Sequence, residues 1–282
     1  MFERAVICTD LTQSSASVVA CAGALGALGI QEVVLVHVID VAATNAGSLP
    51  GSGVFERQAE ILEQAGLHVS VDAALGYPAF EIEAVADAHR AELIVVGSHR
   101  KGLYPATFSG STSSDVLRIA SRPVLLVALE ALGGPDRSRQ ACSRLLASAL
   151  FLTDFSEQSE LAARYLIALA RKGLQRAELL HVVPLGEQHP QLRARSAGER
   201  LEPLAVRLSE MGVSAEPRIA FGSVATVVAE RVRTDEHTLV VVAPHEPPPG
   251  SSMLDSVTNA VIRNTAAPVL AIPPNCLREP RL

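Results

Sequence analysis

The chain repeats itself, and that fact limits its fold more than any other feature. Ile7-Cys8-Thr9-Asp10-Leu11-Thr12-Gln13-Ser14 returns as Phe151-Leu152-Thr153-Asp154-Phe155-Ser156-Glu157-Gln158, and Leu35-Val36-His37-Val38 returns as Leu179-Leu180-His181-Val182. The pairs Gly76 with Gly222, Gly97 with Ala243, Ser111 with Ser256 and Pro123 with Pro268 keep nearly the same offset. So many matches in step mean two copies of one unit, so the two halves must share a fold. With 282 residues, each copy is long enough to bury a core of its own. The reading places a first domain at 1–130, a linker at 131–143 and a second domain at 144–282.

Within the first copy, short aliphatic runs alternate with longer stretches of helical spacing such as Val18, Ala22, Leu25 and Leu28. Strands are predicted at Ala5–Thr9, Glu32–Ile39, His68–Ala74, Leu93–Gly97 and Pro123–Ala128. Helices are predicted near Ser14–Leu28, Phe55–Ala65, Ala79–Ala91 and Ser111–Ala120. Continuous Val/Ile/Leu runs suit strands buried on both faces, and strict alternation with helices gives an α/β chain of two tandem doubly wound five-stranded parallel sheets. Leu129 to Ser143, with Gly133-Gly134-Pro135, reads as a polar connector, and Asn45 to Gly53 as a flexible loop. The closing strands, Pro123–Ala128 and Val269–Ile272, read as apolar sheet edges that need a partner.

A net charge of -6 argues against broad attraction to nucleic acid or anionic membrane. No apolar run approaches the ~20 residues of a membrane-spanning helix, and the opening residues pass into a strand without a signal-peptide pattern, so a cytoplasmic location is expected. The four cysteines form no C-x-x-C pair, which gives zinc-finger or thioredoxin-like chemistry no support. Cys8 in a strand and Cys21 on a helix read as buried, inert thiols.

In doubly wound sheets, ligands bind beyond the carboxyl ends of the strands where strand order reverses. That makes Thr9-Asp10 and Gly97-Ser98-His99 the residues to watch. Gly97 allows close backbone approach, and Gly110-Ser111-Thr112-Ser113 open the next helix with N–H and hydroxyl donors, a natural seat for phosphate. Asp10 complements it as an acceptor for sugar hydroxyls or an outer partner of a metal. The P-loop pattern, the dinucleotide fingerprint and the third-strand aspartate of a receiver domain are all missing. Plainer readings stand beside these. Asp10 and Asp154 suit caps for the helices that follow, and Ser111, Thr112 and Ser113 make an ordinary helix start. His37 and His181 read as satisfied core histidines, and Arg118 and Arg122 as solvated charge.

These residues resemble the universal stress protein family in its tandem form. The resemblance rests on the T-D-x-[ST] opening, the L-x-H-V second strand, the G-x-[PS]-A turn at Gly76, the central loop and the closing P-V-L strand. The family's motif G-x-x-G-x9-G-[ST] is matched by Gly97, Gly110 and Ser111. Arg100 stands at the second glycine, where it either obstructs the loop or adds a phosphate contact, and Gly102 comes two residues later. The resemblance implies a Rossmann-like, adenine nucleotide alpha hydrolase-like fold that holds ATP or AMP/ADP, with Mg2+ as an optional companion. Thr9 and Asp10 would lie on the ribose and phosphate side and Val38 against adenine. Gly97, His99 and Arg100 would line the loop, with Gly110, Ser111, Thr112 and Ser113 on the phosphates.

In the second copy Ala243 and Asp255 replace glycines, and Pro247, Pro248 and Pro249 remove N–H donors from the loop, so nucleotide is expected in the first domain only. The resemblance thus implies a regulatory nucleotide-binding protein of the stress response. A scaffold that binds no nucleotide and a weak ATPase are the alternatives. Turnover is the less favoured because no catalytic residue set and no metal ligand set can be named. Pairing of the closing strands would make an intramolecular pseudo-dimer, with further homodimerisation open.

Overall fold

The computed structural model describes residues 2–12, 15–40, 52–98, 112–128, 135–234, 237–245 and 256–280. The first half runs β1 (Arg4–Cys8), α1 (Ser15–Ala22), a 3-10 turn (Leu25–Leu28), β2 (Glu32–Asp40), α2 (Ser52–Gln64), β3 (His68–Gly76), α3 (Pro78–Ala88), β4 (Leu93–Ser98), α4 (Thr112–Ile119) and β5 (Val124–Ala128). Then come α5 (Pro135–Ser143), β6 (Ser148–Leu152), α6 (Glu157–Arg171), β7 (Arg176–Pro184), α7 (Pro190–Glu210), β8 (Ser214–Gly222), α8 (Val224–Val232), β9 (Leu239–Val242), α9 (Ser256–Asn264) and β10 (Val269–Ala271). The tandem α/β architecture is the expected one. The first predicted helix is shorter than its apolar spacing suggested, because Gly23 and Gly26 favour helix poorly and the chain tightens into the 3-10 turn.

All ten strands form one sheet in the order β3-β2-β1-β4-β5-β10-β9-β6-β7-β8. Pairing is parallel within each half and antiparallel at the centre, where Leu126 faces Val269 and Val124 faces Ala271. The apolar edges of the two closing strands therefore cover each other. Successive side chains point to opposite faces of a strand, so Ala5 and Ile7 of β1 enter one core layer and Val6 the other. Leu93 and Val95 of β4 likewise separate from Ile94 and Val96. Burial on both faces is why the strands read as unbroken aliphatic runs. No helix among the described residues is long and apolar enough to cross a membrane.

Three expectations are corrected. The connector contains a helix, α5, packed on α1. Cys21 is not a free thiol but is bonded to Cys142 of α5, with Cα atoms 5.3 Å apart, a distance a disulfide spans. Cys8 does remain a free thiol, and burial pushes its pKa up to about 12. Arg122 is not solvated charge; its side chain is wholly buried. Its guanidinium donates to Ala86 O (2.9 Å), Ala91 O (2.6 Å), Glu83 (2.9 Å) and Asp87. Sequence could not reveal this, since the partners lie more than 30 positions away and meet only when α3 packs against the start of β5. The second half has its own buried ion, Glu178 on β7, which Arg231 of α8 grips with both arms of its guanidinium.

Candidate functional site

The strand order reverses between β1 and β4 in the first half and between β6 and β9 in the second. In the first half, Ile7 lies opposite Val95; two residues further on come Thr9 and Gly97, at the carboxyl ends that frame the crevice. In the second, Phe151 lies opposite Val241, and the same step leads to Thr153 and Ala243.

Each crevice opens with the same strained turn. Leu11 and Phe155 adopt φ of 60 and 66, a left-handed conformation that costs a side-chain-bearing residue about 1–2 kcal/mol. Two side chains hold it. Thr9 Oγ1 accepts from Leu11 N and Asp10 Oδ1 from Thr12 N, each at 3.0 Å, and Thr12 Oγ1 donates to the same carboxylate oxygen at 2.7 Å. Thr153 and Asp154 repeat this with Phe155 N, Ser156 N and Ser156 Oγ at 3.0, 3.0 and 2.7 Å. The capping reading of the aspartates is corrected: one oxygen of each closes the turn ahead of its helix, and the N-cap of α6 is Ser156, whose side chain accepts from Ser159 N.

The histidines recur as expected. His37 Nδ1 lies 2.9 Å from Thr9 O, and His181 Nδ1 2.9 Å from Thr153 O. A carbonyl can only accept, so these ring nitrogens carry the proton. His181 is nevertheless only half satisfied, because its Nε2 is buried without a partner. Burial holds its pKa below the ordinary value, against the opposing bond from Thr153. Its ring packs 4.6 Å from that of Phe155, and the Arg200 guanidinium sits 4.1 Å over the Phe155 ring.

In the second crevice the other carboxylate oxygen of Asp154 has a partner as well. Asp154 Oδ2 lies 2.9 Å from His245 Nε2, a contact across the crevice. Desolvation raises the pKa of Asp154, but the bonds from Ser156, with the charge of His245 and a bond from Ser159, outweigh it and hold the carboxyl below its ordinary range. Asp10 is exposed, and among the described residues only Thr12 bonds its carboxylate.

Of the residues singled out from sequence, Thr9, Asp10 and Gly97 meet at the switch point. Val38 lies half-buried near the carboxyl end of β2, packed against the core, and Thr112 and Ser113 begin α4. His99, Arg100, Gly110 and Ser111 lie outside the described residues, as do Gly102, Asp255 and Pro247 to Pro249. Sequence reasoning missed Ser15 and Gln58. Thr9 Oγ1 donates to Gln58 Oε1 at 2.6 Å and lies 2.9 Å from Ser15 Oγ, to which Gln58 Nε2 donates at 3.2 Å, and all three residues are buried. A signal existed: Gln58 is the one polar residue on the Phe55, Ala59 and Leu62 stripe of α2, and a polar group on a core stripe needs a partner. Among the described residues, no group of three His, Cys, Asp or Glu could hold a metal ion.

The fold and crevices define a tandem α/β protein with a ligand-type switch point in each half. The universal stress protein family model matches residues 1–128 and 148–273, and the chain belongs to that family. A universal stress protein from Archaeoglobus fulgidus shares the fold at a TM-score of 0.75 and 20% identity, over 96% of each chain. A functionally unknown protein from Pseudomonas aeruginosa PAO1 does so at 0.66 and 15%, over 97% of this chain and 93% of its own. A universal stress protein solved in complex with cAMP covers 46% of this chain and 98% of its own, at 22% identity and a TM-score of 0.38. No curated protein matches the sequence.

Proposed function

We propose that this is a cytoplasmic adenine-nucleotide-binding regulatory protein of the stress response, with ATP or AMP/ADP held in the first half alone. One observation carries the asymmetry. The second oxygen of Asp154 lies 2.9 Å from His245, and Ala243 stands where the first half has Gly97, while Asp10 is exposed. A ligand hydroxyl can replace water at the exposed Asp10 at little cost, but at Asp154 it must first displace the His245 imidazole.

The residues of the first half fit such a ligand. The buried bonds among Thr9, Ser15 and Gln58 fix the turn that presents Asp10, so the acceptor is oriented before anything binds. Val38 offers an apolar wall for a purine base. Thr112 and Ser113 begin a helix whose first-turn N–H groups favour an anion. His99, Arg100, Gly110 and Ser111 join them on the strength of the family motif. Mg2+, when present with a triphosphate, would neutralise part of its charge. The protein then acts by shifting populations between conformers or oligomers rather than by turnover. The two halves serve as an intramolecular pseudo-dimer about the β5–β10 seam, able to associate further into a homodimer.

Calorimetric titration of the whole chain with ATP and AMP tests this. One site per chain is expected, weakened about tenfold or more by Asp10→Ala, a loss of at least about 1.4 kcal/mol, and unaffected by Asp154→Ala. Two equivalent sites refute the asymmetry. No thermal shift at millimolar nucleotide favours the scaffold, since a ligand that binds only the native state must raise its apparent stability. Phosphate release that survives purification and vanishes in Asp10→Ala favours the ATPase.

A further inference from the structure

After its closing strand, each half sends a segment back across its own first helix. In the first half the segment is α5, lying on α1; in the second it is the tail at 273–280, lying on α6. The tail is tied by Tyr165, whose hydroxyl donates to Arg278 O at 2.8 Å, and by Gln158, which donates to Cys276 O at 3.2 Å. Cys21 and Tyr165 occupy the same place in the two copies, each six positions after the equivalent serines Ser15 and Ser159. Where the second half uses a tyrosine hydrogen bond, the first uses the Cys21–Cys142 disulfide.

The rest of α5 buries little apolar side chain. Its sequence is Pro-Asp-Arg-Ser-Arg-Gln-Ala-Cys-Ser, and only Ser138 and Cys142 are fully buried, with Ala141 partly packed. Apart from Val18 and Val19, α1 is built of small residues, and a nine-residue helix is marginal in water without tertiary support. The bond thus replaces the apolar stripe that would normally dock such a helix. Both sulfurs belong to buried residues, so a reductant reaches them when α5 opens locally, and weakly anchored elements open most readily.

We propose that the Cys21–Cys142 disulfide is a redox-reversible staple for the connection between the halves: oxidised, it holds α5 on α1, and reduced, it releases α5 while the β5–β10 seam keeps the halves joined. In the exchange a dithiol reductant attacks one sulfur of the pair. The S–S bond breaks, two electrons and two protons pass to Cys21 and Cys142 as thiols, and the reductant leaves as its own disulfide. Bonds of this kind in reducing compartments are transient and redox-sensing. The inference does not depend on nucleotide binding.

The test uses the whole chain with dithiothreitol as the dithiol. Protein alkylated before any reduction should yield a linked peptide pair containing Cys21 and Cys142, with Cys8 and Cys276 alkylated on denaturation. On reduction under native conditions, amide exchange in residues 135–143 should rise about tenfold or more while β1 and β6 stay protected. Cys142→Ser should reproduce the fast exchange without a reductant, and Cys8→Ser should change nothing. Alkylation of both Cys21 and Cys142 in never-reduced protein overturns the proposal. So does unchanged exchange in α5 after complete reduction, or reduction that proceeds only when the whole chain unfolds.

Discussion

Arg122→Ala should be among the most damaging single changes in the first half. It removes a fully buried guanidinium that caps the carbonyls of Ala86 and Ala91 and neutralises Glu83, whose Oε2 is already buried without a partner. Breaking a buried pair by deleting one member costs about 3–5 kcal/mol, mostly for the charge left behind. Unfolding entropy of roughly 2.1 cal/mol/K per residue turns about 4 kcal/mol into a melting shift of about 7 °C if all 282 residues unfold together, and about 14 °C if half does so alone. Scanning calorimetry and urea midpoints read both. The second half has alanine at both equivalent positions, Ala267 for Arg122 and Ala229 for Glu83. The double change Glu83→Ala with Arg122→Ala should therefore be less harmful than Arg122→Ala by about 1–2 kcal/mol. A single-mutant loss below about 1 kcal/mol, or a double mutant worse than the single, refutes the reasoning.

Other perturbations follow from the crevices. His181 has a lowered folded pKa, so the unfolded chain binds its proton more readily, and stability should fall as pH drops below the ordinary 6.5. Urea midpoints at pH 7 and 5.5 should show that fall, and His181→Asn should flatten it. Asp154 is lowered as well, so its contribution is present above its ordinary 3.8 and disappears as pH falls through the folded value; acid titration of Asp154→Asn should lack that part. His245→Ala should cost less than about 1 kcal/mol, because both partners are about half exposed and salt screens them, so a larger loss in 0.5 M salt speaks against it. Thr9→Val leaves the buried carbonyl oxygen of Gln58 without its donor and should cost about 1–3 kcal/mol by urea denaturation, with Thr9→Ser retaining most of the stability.

The tandem repeat, the parallel pairing within each half and the placing of Thr9, Asp10 and Gly97 at a switch point are all legible in the amino-acid sequence. These features are written in local periodicity and in residues repeated at one offset, so no knowledge of distant contacts is needed to read them. The sequence also showed the two crevices to be unequal, through Ala243 opposite Gly97. What it could not show is how charges and thiols far apart in the chain meet. Arg122 looks like any surface arginine until α3 brings Glu83 and Asp87 to it, and Cys21 looks inert until α5 delivers Cys142 across 121 residues. Asp154 and His245, likewise, become a pair only when β6 and β9 lie side by side. Partner choice of this kind depends on three-dimensional proximity, which only the packing of helices on the shared ten-stranded sheet decides.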